Sequence, residues 1–485
     1  MHTINEAIVS LSDTLWAYLV IPLLAVVGVY FTVRSGAVQV RLLPEMLRAL
    51  FSKPDVAPDG GPAISSLQAF SISAASRVGT GNIAGVAIAI ALGGPGAVLW
   101  MWLMGLVMGA AAFVESTLAQ LFKVEDSTGF RGGPAYYMQH GLRARWMGVV
   151  FAVVIIFTFG FVFNMVQANS IASSVGSSVS SATGSDAGGW LAPAIGVVLA
   201  ALTASVIFGG VRRIAHVAQA AVPFMALLYM AMGVVVVGMN LDQVPDVLSE
   251  IVASAFGIRE VGAAGVGTAI MMGIRRGLFS NEAGMGSAPN AAATASVSHP
   301  VKQGLAQTFG VYFDTLVVCS VTAFIILVSN PVYGEEVGVE LTQHALQVNL
   351  GTWSLHLLTL IIFLLSFTSV VGNYYYGESN LEFLTGGPRF VTAYRSAVVA
   401  MMFLGAVGSL DLVWSLADVT MGVMAVINLV AIAPLGVLAI RLLSDYQDQR
   451  SKGLDPVFSR DRLPDVAGIQ CWEPELRRAS VADRT

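Results

Sequence analysis

Two stretches of this chain set glycine beside polar and charged side chains inside otherwise apolar runs. The first is Ser76-Arg77-Val78-Gly79-Thr80-Gly81-Asn82, within 65–92. The second is Phe279-Ser280-Asn281-Glu282-Ala283-Gly284, within 261–298. Gly79 and Gly81 can take backbone angles closed to other residues, so the helix can stop and restart there. Where it restarts, the free N–H groups of Thr80, Gly81 and Asn82 lie at a positive dipole end, which suits a carboxylate. The second break offers open carbonyls and a half-helix C-terminus, which suit an ammonium group, with Phe279 as an apolar wall or lid. The plain alternatives are a glycine packing notch and a kinked helix. Packing alone does not require the polarity of Ser76, Arg77, Thr80 and Asn82.

Other polar groups sit inside apolar runs. Asn164 and Gln167 are three residues apart and share a helical face, continued by Ser174 and Ser178. Amides in hydrocarbon need partners, in a cavity or on a neighbouring helix. Adjacent hydroxyls at Thr368 and Ser369 would complete an oxygen cage with the carbonyls of Ala75 and Val78. Such a cage fits sodium better than calcium, which attracts several carboxylates. The alternative is hydroxyls bonded back to their own helix. Arg77, Glu115, Arg275, Arg276, Glu282, Asp314 and Glu378 also lie in or near apolar runs. Charges there call for partners or water. Arg276 is a candidate outer gate. For Glu115, Glu282 and Asp314, structural ion pairs are expected over a proton relay.

The elements that must hold these residues are membrane helices. The chain has 485 residues, 55% hydrophobic and only 11% charged, where soluble proteins carry about a quarter charged residues. A net charge of −5 gives no nucleic-acid signal. Two cysteines and six scattered histidines suggest neither a disulfide framework nor a zinc site. HExxH, GxSxG and a paired catalytic histidine are all missing, which argues against a hydrolase. The N-terminus lacks a basic start and cleavage site, so no cleaved signal peptide is expected.

Eleven apolar segments reach spanning length: 12–33, 65–92, 95–122, 146–180, 190–209, 215–239, 261–298, 304–330, 351–377, 391–410 and 414–442. Alternate connections differ in charge. One set carries Arg34, Arg41, Arg48 and Lys53, then Lys123, Arg131, Arg143 and Arg145, then Arg212 and Arg213, Lys302, Arg389 and Arg395. The other carries Asp186, Asp242, Asp246, Glu250, Glu260, Glu335, Glu336, Glu340 and Asp411, with a lone Arg259. Basic loops mark the cytoplasmic side, which puts the N-terminus outside and the C-terminus inside a plasma membrane. An N-terminal helix and interfacial segment (1–64) thus precede two five-span halves, 65–239 and 261–442, joined by an extracytoplasmic loop (240–260). An odd number of spans inverts the second half, and each half opens on a broken helix. This is the inverted-repeat plan of LeuT-type transporters. The segment 38–51 reads as an interfacial helix or a plain connector, and 132–142 as an interfacial loop. The polar tail, 443–485, reads as a cytoplasmic segment largely without its own core.

The motifs resemble those of the alanine or glycine:cation symporter family. The resemblance rests on 76–86, on Ala91-Leu92-Gly93-Gly94-Pro95-Gly96-Ala97, and on Glu115-Ser116-Thr117-Leu118-Ala119-Gln120. It rests further on Gly132-Gly133-Pro134-Ala135-Tyr136-Tyr137, the long run 276–290, 299–304, and Gly372-Asn373-Tyr374-Tyr375-Tyr376-Gly377-Glu378. It covers nearly all the chain except the tail. It implies an all-α polytopic membrane protein of the bacterial inner membrane, with eleven spans, a LeuT-like core, and sodium-driven uptake of small neutral amino acids. It implies substrate contacts at Thr80, Gly81, Asn82, Gln167, Phe279, Ser280, Asn281, Ser369 and Asn373. Sodium is implied near Ala75, Val78, Thr368 and Ser369. Some members carry an aromatic residue where Asn373 stands, and an amide there would give a wider, more polar pocket that admits glutamine. Proton coupling and a non-transporting amino-acid sensor are the alternatives; the short tail argues against the latter.

Overall fold

The computed structural model describes residues 2–52, 63–126, 129–185, 188–208, 211–258, 265–387 and 390–472. Of the charges used above for orientation, Lys53, Asp186, Arg259, Glu260 and Arg389 lie outside these residues, as do the side chains of Arg212 and Arg213 and the chain from 473. Helices follow one another closely. The first are α1 (Glu6–Arg34), α2 (Leu43–Leu50), α3 (Ser66–Arg77), α4 (Gly81–Gly93) and α5 (Gly96–Leu121). A small antiparallel hairpin follows, β1 (Val124–Asp126) and β2 (Gly129–Arg131), with Val124 opposite Arg131. Then come α6 (Pro134–His140), α7 (Arg145–Thr183), α8 (Leu191–Ile207), α9 (Val211–Met239) and α10 (Val244–Ala255). The rest are α11 (Val266–Asn281), α12 (Ala288–Ala292), α13 (Pro300–Leu327), α14 (Val339–Leu350), α15 (Thr352–Thr385), α16 (Val391–Val407) and α17 (Leu410–Ser451).

Six helices are long and apolar enough to cross a membrane: α1, α5, α7, α13, α15 and α17. The number rises to eight if each of two bent pairs is one span: α3 with α4, bent by 51°, and the end of α9 with α10, bent by 103°. The expected eleven exceeds this for a physical reason. Helices α8 and α16 are apolar but only 17 residues long. Helix α11 carries two arginines, and its short continuation α12 follows an irregular turn.

Helix α5 is the centre of the packing. Every residue from Met108 to Leu121 is buried, and α11 and α13 lie against it. Small residues allow the close approach. A methyl group on Gly105 would lie 3.0 Å from the Thr315 side chain, and one on Gly304 would strike Thr117. Helix α2 packs by one face on α13, burying Met46, Ala49 and Leu50 and leaving Leu43 and Leu47 exposed.

The segment after α17 packs on the bundle rather than on a core of its own. Residues 454–472 run across the bundle as a strap, with Phe458, Leu463 and Trp472 buried. The Phe458 amide donates to the Ser298 carbonyl (2.8 Å), and the Trp472 indole donates to the Gln120 carbonyl (3.1 Å). Ion pairs Lys302–Asp455 (2.8 Å), Arg462–Asp445 (2.6 Å) and Arg441–Asp465 (2.7 Å) flank it. Three large side chains in a polar segment find sockets on the bundle.

Candidate functional site

Helix α3 begins with a capping box, in which Ser65 Oγ accepts from Gln68 N (3.1 Å) and Gln68 Oε1 accepts from Ser65 N (2.9 Å). It ends at Arg77, where Val78 turns extended. Asn82 Oδ1 then accepts from Gly79 N (3.0 Å), holding the unwound turn, and the chain restarts as a wide π turn, Gly81–Gly85. Such turns collect at functional sites.

The second break is built differently. Glu282, Gly284 and Gly286 all have left-handed φ (58°, 85° and 81°). Its freed amides already have a carboxylate: Glu115 of α5 accepts from Gly284 N (3.1 Å) and Gly286 N (3.2 Å). Asn428 Nδ2 braces Glu115 (2.7 Å) and the Gly284 carbonyl (2.9 Å). At the first break the amides meet neutral oxygens among the described residues: Asn82 Oδ1 on Gly79 N, and Gln167 Oε1, which accepts from Thr80 N at 3.4 Å. Thr80 Oγ1 is buried with no partner among the described residues.

The two breaks face each other. A methyl group on Gly81 would lie 2.9 Å from the Phe279 ring and 3.1 Å from Ser280 Cα. Asn82 Nδ2 donates to Ser280 Oγ (2.9 Å) and to Asp314 Oδ1 of α13 (2.6 Å). Ser76 Oγ lies 2.6 Å from Glu282 Oε1 and 2.7 Å from Asn373 Oδ1, and Asn373 Nδ2 donates to Asn164 Oδ1 (3.2 Å). This line of hydrogen bonds ties both breaks to α7 and α15. A methyl group on Gly79 would strike Ser369 Oγ, so α15 closes directly on the first break.

Thr80, Gly81, Asn82, Gln167, Phe279, Ser280, Ser369 and Asn373 are therefore brought together, all buried. Asn281 turns toward α13, donating to Thr315 Oγ1 (2.9 Å). The hydroxyls of Thr368 and Ser369 both donate to the Leu365 carbonyl (2.8 and 3.1 Å), the back-bonded arrangement that is the alternative to an oxygen cage. Ala75 and Val78 are buried in the end of α3, on which α15 packs. Ser174 and Ser178 lie away from the breaks, on Thr359 (3.2 Å) and His356 (2.6 Å). Glu115, Glu282 and Asp314 are held by neutral donors. No ion pair to any of them is seen among the described residues, contrary to expectation, because backbone turns and hydroxyls converge on them instead.

Both approaches to the cluster are shut. On one side Phe279 packs between Phe163 (4.5 Å between centroids) and Trp414 (4.8 Å). Arg276 lies over Trp414 and is ion-paired with Asp418; Arg275 reaches Asp418 (3.3 Å) and Asp13 (2.9 Å). On the other, Gln303 donates to Ser66 Oγ (2.7 Å) and Ser73 donates to Gln307 (2.8 Å), fastening α3 to α13. Sequence reading missed Asp418, Trp414, Phe163 and Gln307. Asp418 carried a signal, as an acid in an apolar run with no local basic partner.

A largely helical bundle with several membrane-length helices and a closed polar chamber between two broken helices has the build of a membrane transporter. The chain belongs to the sodium:alanine symporter family, whose profile matches residues 1–460. That family comprises transporters, not enzymes. The chain is 49% identical over 97% of its length, and 97% of the relative's, to "Probable sodium/glutamine symporter GlnT" of Bacillus subtilis (strain 168). It is 48% identical to "Amino-acid carrier protein AlsT" of the same organism, covering 96% of this chain and 97% of that one. "Sodium/alanine symporter AgcS" of Methanococcus maripaludis is 37% identical, covering 87% and 93%. Among solved structures, Mhp1, a nucleobase-cation-symport-1 family transporter in a closed conformation, shares the fold with a TM-score of 0.50 at 16% identity, covering 83% of this chain and 82% of that one.

Proposed function

We propose that the protein is a sodium-coupled symporter that imports small neutral amino acids, alanine and glycine, by alternating access across the bacterial inner membrane. The observation that carries this reading is the meeting of the two breaks at Gly81, Phe279 and Ser280, in a buried chamber where the amides of the first break meet no carboxylate among the described residues. Substrate carboxylate meets the amides of Thr80, Gly81 and Asn82, and Gln167 gives way to it. The ammonium group meets carbonyls of the second break, with Phe279 as the lid. Ser280, Asn281, Ser369 and Asn373 complete the contacts. Sodium sits between α3 and α15, on the carbonyls of Ala75 and Val78 and the hydroxyls of Thr368 and Ser369, which turn away from Leu365 to reach it. Arg276 with Asp418 forms the outer gate. The chain makes eleven spans, N-terminus outside and C-terminus inside, with repeats 65–239 and 261–442 in opposite orientation. The closed chamber represents the occluded step between the two open states.

A second reading, transport of glutamine, is favoured by Asn373, whose amide adds polar surface to the chamber, and by the likeness to GlnT. Uptake of labelled L-alanine into proteoliposomes, with an inward sodium gradient against a potassium control, tests the proposal. Sodium-dependent uptake competed by glycine is the expected result. Sodium-dependent glutamine uptake without alanine uptake selects the second reading, and neither defeats both.

A further inference from the structure

Arg77, the last residue of α3, is a buried cation that the mechanism above leaves unused. It is 3% exposed and lies in the seam between α3 and α13. Its Nη1 donates to the Gln307 carbonyl at 3.4 Å, longer than the usual range for such a bond. Its Nε and Nη2 are buried with no partner among the described residues. A guanidinium held for structure alone spreads its five donors over acceptors. The space it fills is left by a missing side chain. A methyl group on Gly310 of α13 would strike Arg77 Nη1 and lie 3.1 Å from Phe70. Arg77 faces three buried carboxyl groups, those of Glu115, Glu282 and Asp314. Among the described residues none is in ion-pair range of it, although Ser76, its neighbour in the chain, touches Glu282 (2.6 Å). Arg275 and Arg276, in contrast, are both bound to Asp418. Arg77 thus stands before three acids with its donors unspent on any of them.

We propose that Arg77 is the resident counter-charge of the transport cycle. In the closed form its guanidinium is parked in the α3–α13 seam. Once sodium has left, it turns onto the chamber carboxylates, and the empty carrier can close and return. The inference rests on the symporter reading above. Sodium carries a positive charge into the chamber on the inward stroke and does not make the return stroke. The buried acids then lack that cation, in surroundings where uncompensated charge is costly. Arg77 is always charged, stays with the chain, and carries its donors on a long flexible stem. The seam that holds it is the one fastened by Gln303 with Ser66 and by Ser73 with Gln307. Parting of α3 from α13 therefore also breaks the Gln307 contact and frees the guanidinium as the chamber opens. Two cations drawn to one set of carboxylates oppose each other. Arg77 on the acids weakens sodium binding, and sodium in the chamber returns Arg77 to the seam, by the same factor.

The test uses the purified full-length protein in proteoliposomes and separates two fluxes. Net uptake is read with an inward sodium gradient and no amino acid inside. Exchange is read with equal sodium on both sides and unlabelled alanine inside, so that labelled alanine enters on the loaded carrier alone. Arg77→Gln removes the charge and keeps a polar side chain. Its net uptake should fall about tenfold or more while exchange stays within about twofold of wild type. Half-saturating sodium for alanine binding should fall, because the opposing cation is gone. Arg77→Lys, which keeps the charge, should restore part of the net uptake. Gly310→Ala keeps the arginine but pushes its guanidinium out of the seam toward the acids. Half-saturating sodium should then rise about threefold or more. Opposite shifts at these two positions are not expected of a merely structural arginine. Equal loss of net uptake and exchange in Arg77→Gln overturns the proposal and leaves the symporter reading standing. Unaltered fluxes in Arg77→Gln do the same. If Arg77→Gln does not fold, a sodium titration in Gly310→Ala equal to that of wild type overturns the proposal by itself. A wild-type protein that neither exchanges nor accumulates alanine or glutamine defeats the symporter reading, and this proposal with it.

Discussion

At the scale of single residues, the chamber is defined by what glycine leaves out. Gly81 stands where any side chain would meet Phe279 and Ser280. Gly81→Val should therefore abolish amino-acid uptake at unchanged membrane expression, read by radiolabel uptake in cells or proteoliposomes. Full activity in that variant would place the substrate elsewhere. Asn373 is held by Ser76 and Asn164 at the wall of the chamber. Asn373→Phe replaces a polar wall by a bulky one. It should lower glutamine uptake relative to alanine by about tenfold, an energy of about 1.4 kcal/mol; competition between the two labelled substrates measures it.

At the scale of elements, two closures hold the chamber. One, the proposed outer gate, joins α11 to α17 through Arg276 and Asp418, 142 residues apart. Removing one partner of a buried ion pair strands the other charge, at a cost of about 3–5 kcal/mol. Asp418→Asn should thus favour the outward-open form. Cys319, buried 3.4 Å from Asn82 Nδ2 and 3.2 Å from Ser280 Oγ, reports on it directly. A membrane-impermeant thiol reagent added outside should label Cys319 faster in Asp418→Asn than in wild type, and equal rates would exclude Arg276–Asp418 as a gate. The strap, 454–472, is the second structural test. Trp472→Ala removes a buried indole, typically a loss of about 3–5 kcal/mol. Trypsin should then cut at Arg460 and Arg462 well before the rest of the chain, whereas in wild type these bonds should be protected.

At the scale of the whole molecule, the proposed coupling has enough driving force. One sodium ion moving inward gains about 2.3 kcal/mol at 100 mV, and a tenfold sodium gradient adds about 1.4 kcal/mol. Together these support between two and three decades of substrate accumulation per ion. Imposing an inside-negative potential should raise uptake of zwitterionic alanine at constant sodium gradient, and a sodium ionophore should abolish accumulation. Uptake indifferent to potential would contradict net inward charge movement. The closed state shown here is the one in which both α3–α13 and α11–α17 are fastened, so each half-cycle must release one fastening while the other holds.

Membrane character, the positions of the helix breaks and the residues standing at them are legible in the sequence alone. These properties are local: apolar length, glycine at a turn, and polar atoms that hydrocarbon cannot solvate are all written in short windows of chain. The count of spans was less legible, because short apolar helices and a helix bearing Arg275 and Arg276 satisfy a charge-alternation argument but not a length-and-composition one. Which polar groups are partners emerges from the packed bundle. Glu115 looked like one half of an ion pair, yet it caps the second break from 169 residues away, while Glu282 and Asp314 turn to hydroxyls and an amide. The tail reads as a segment largely without its own core, and the structure adds that it borrows the bundle's, with Trp472 reaching the Gln120 carbonyl. Pairings over such distances depend on how helices pack in three dimensions, and no window of sequence contains both partners.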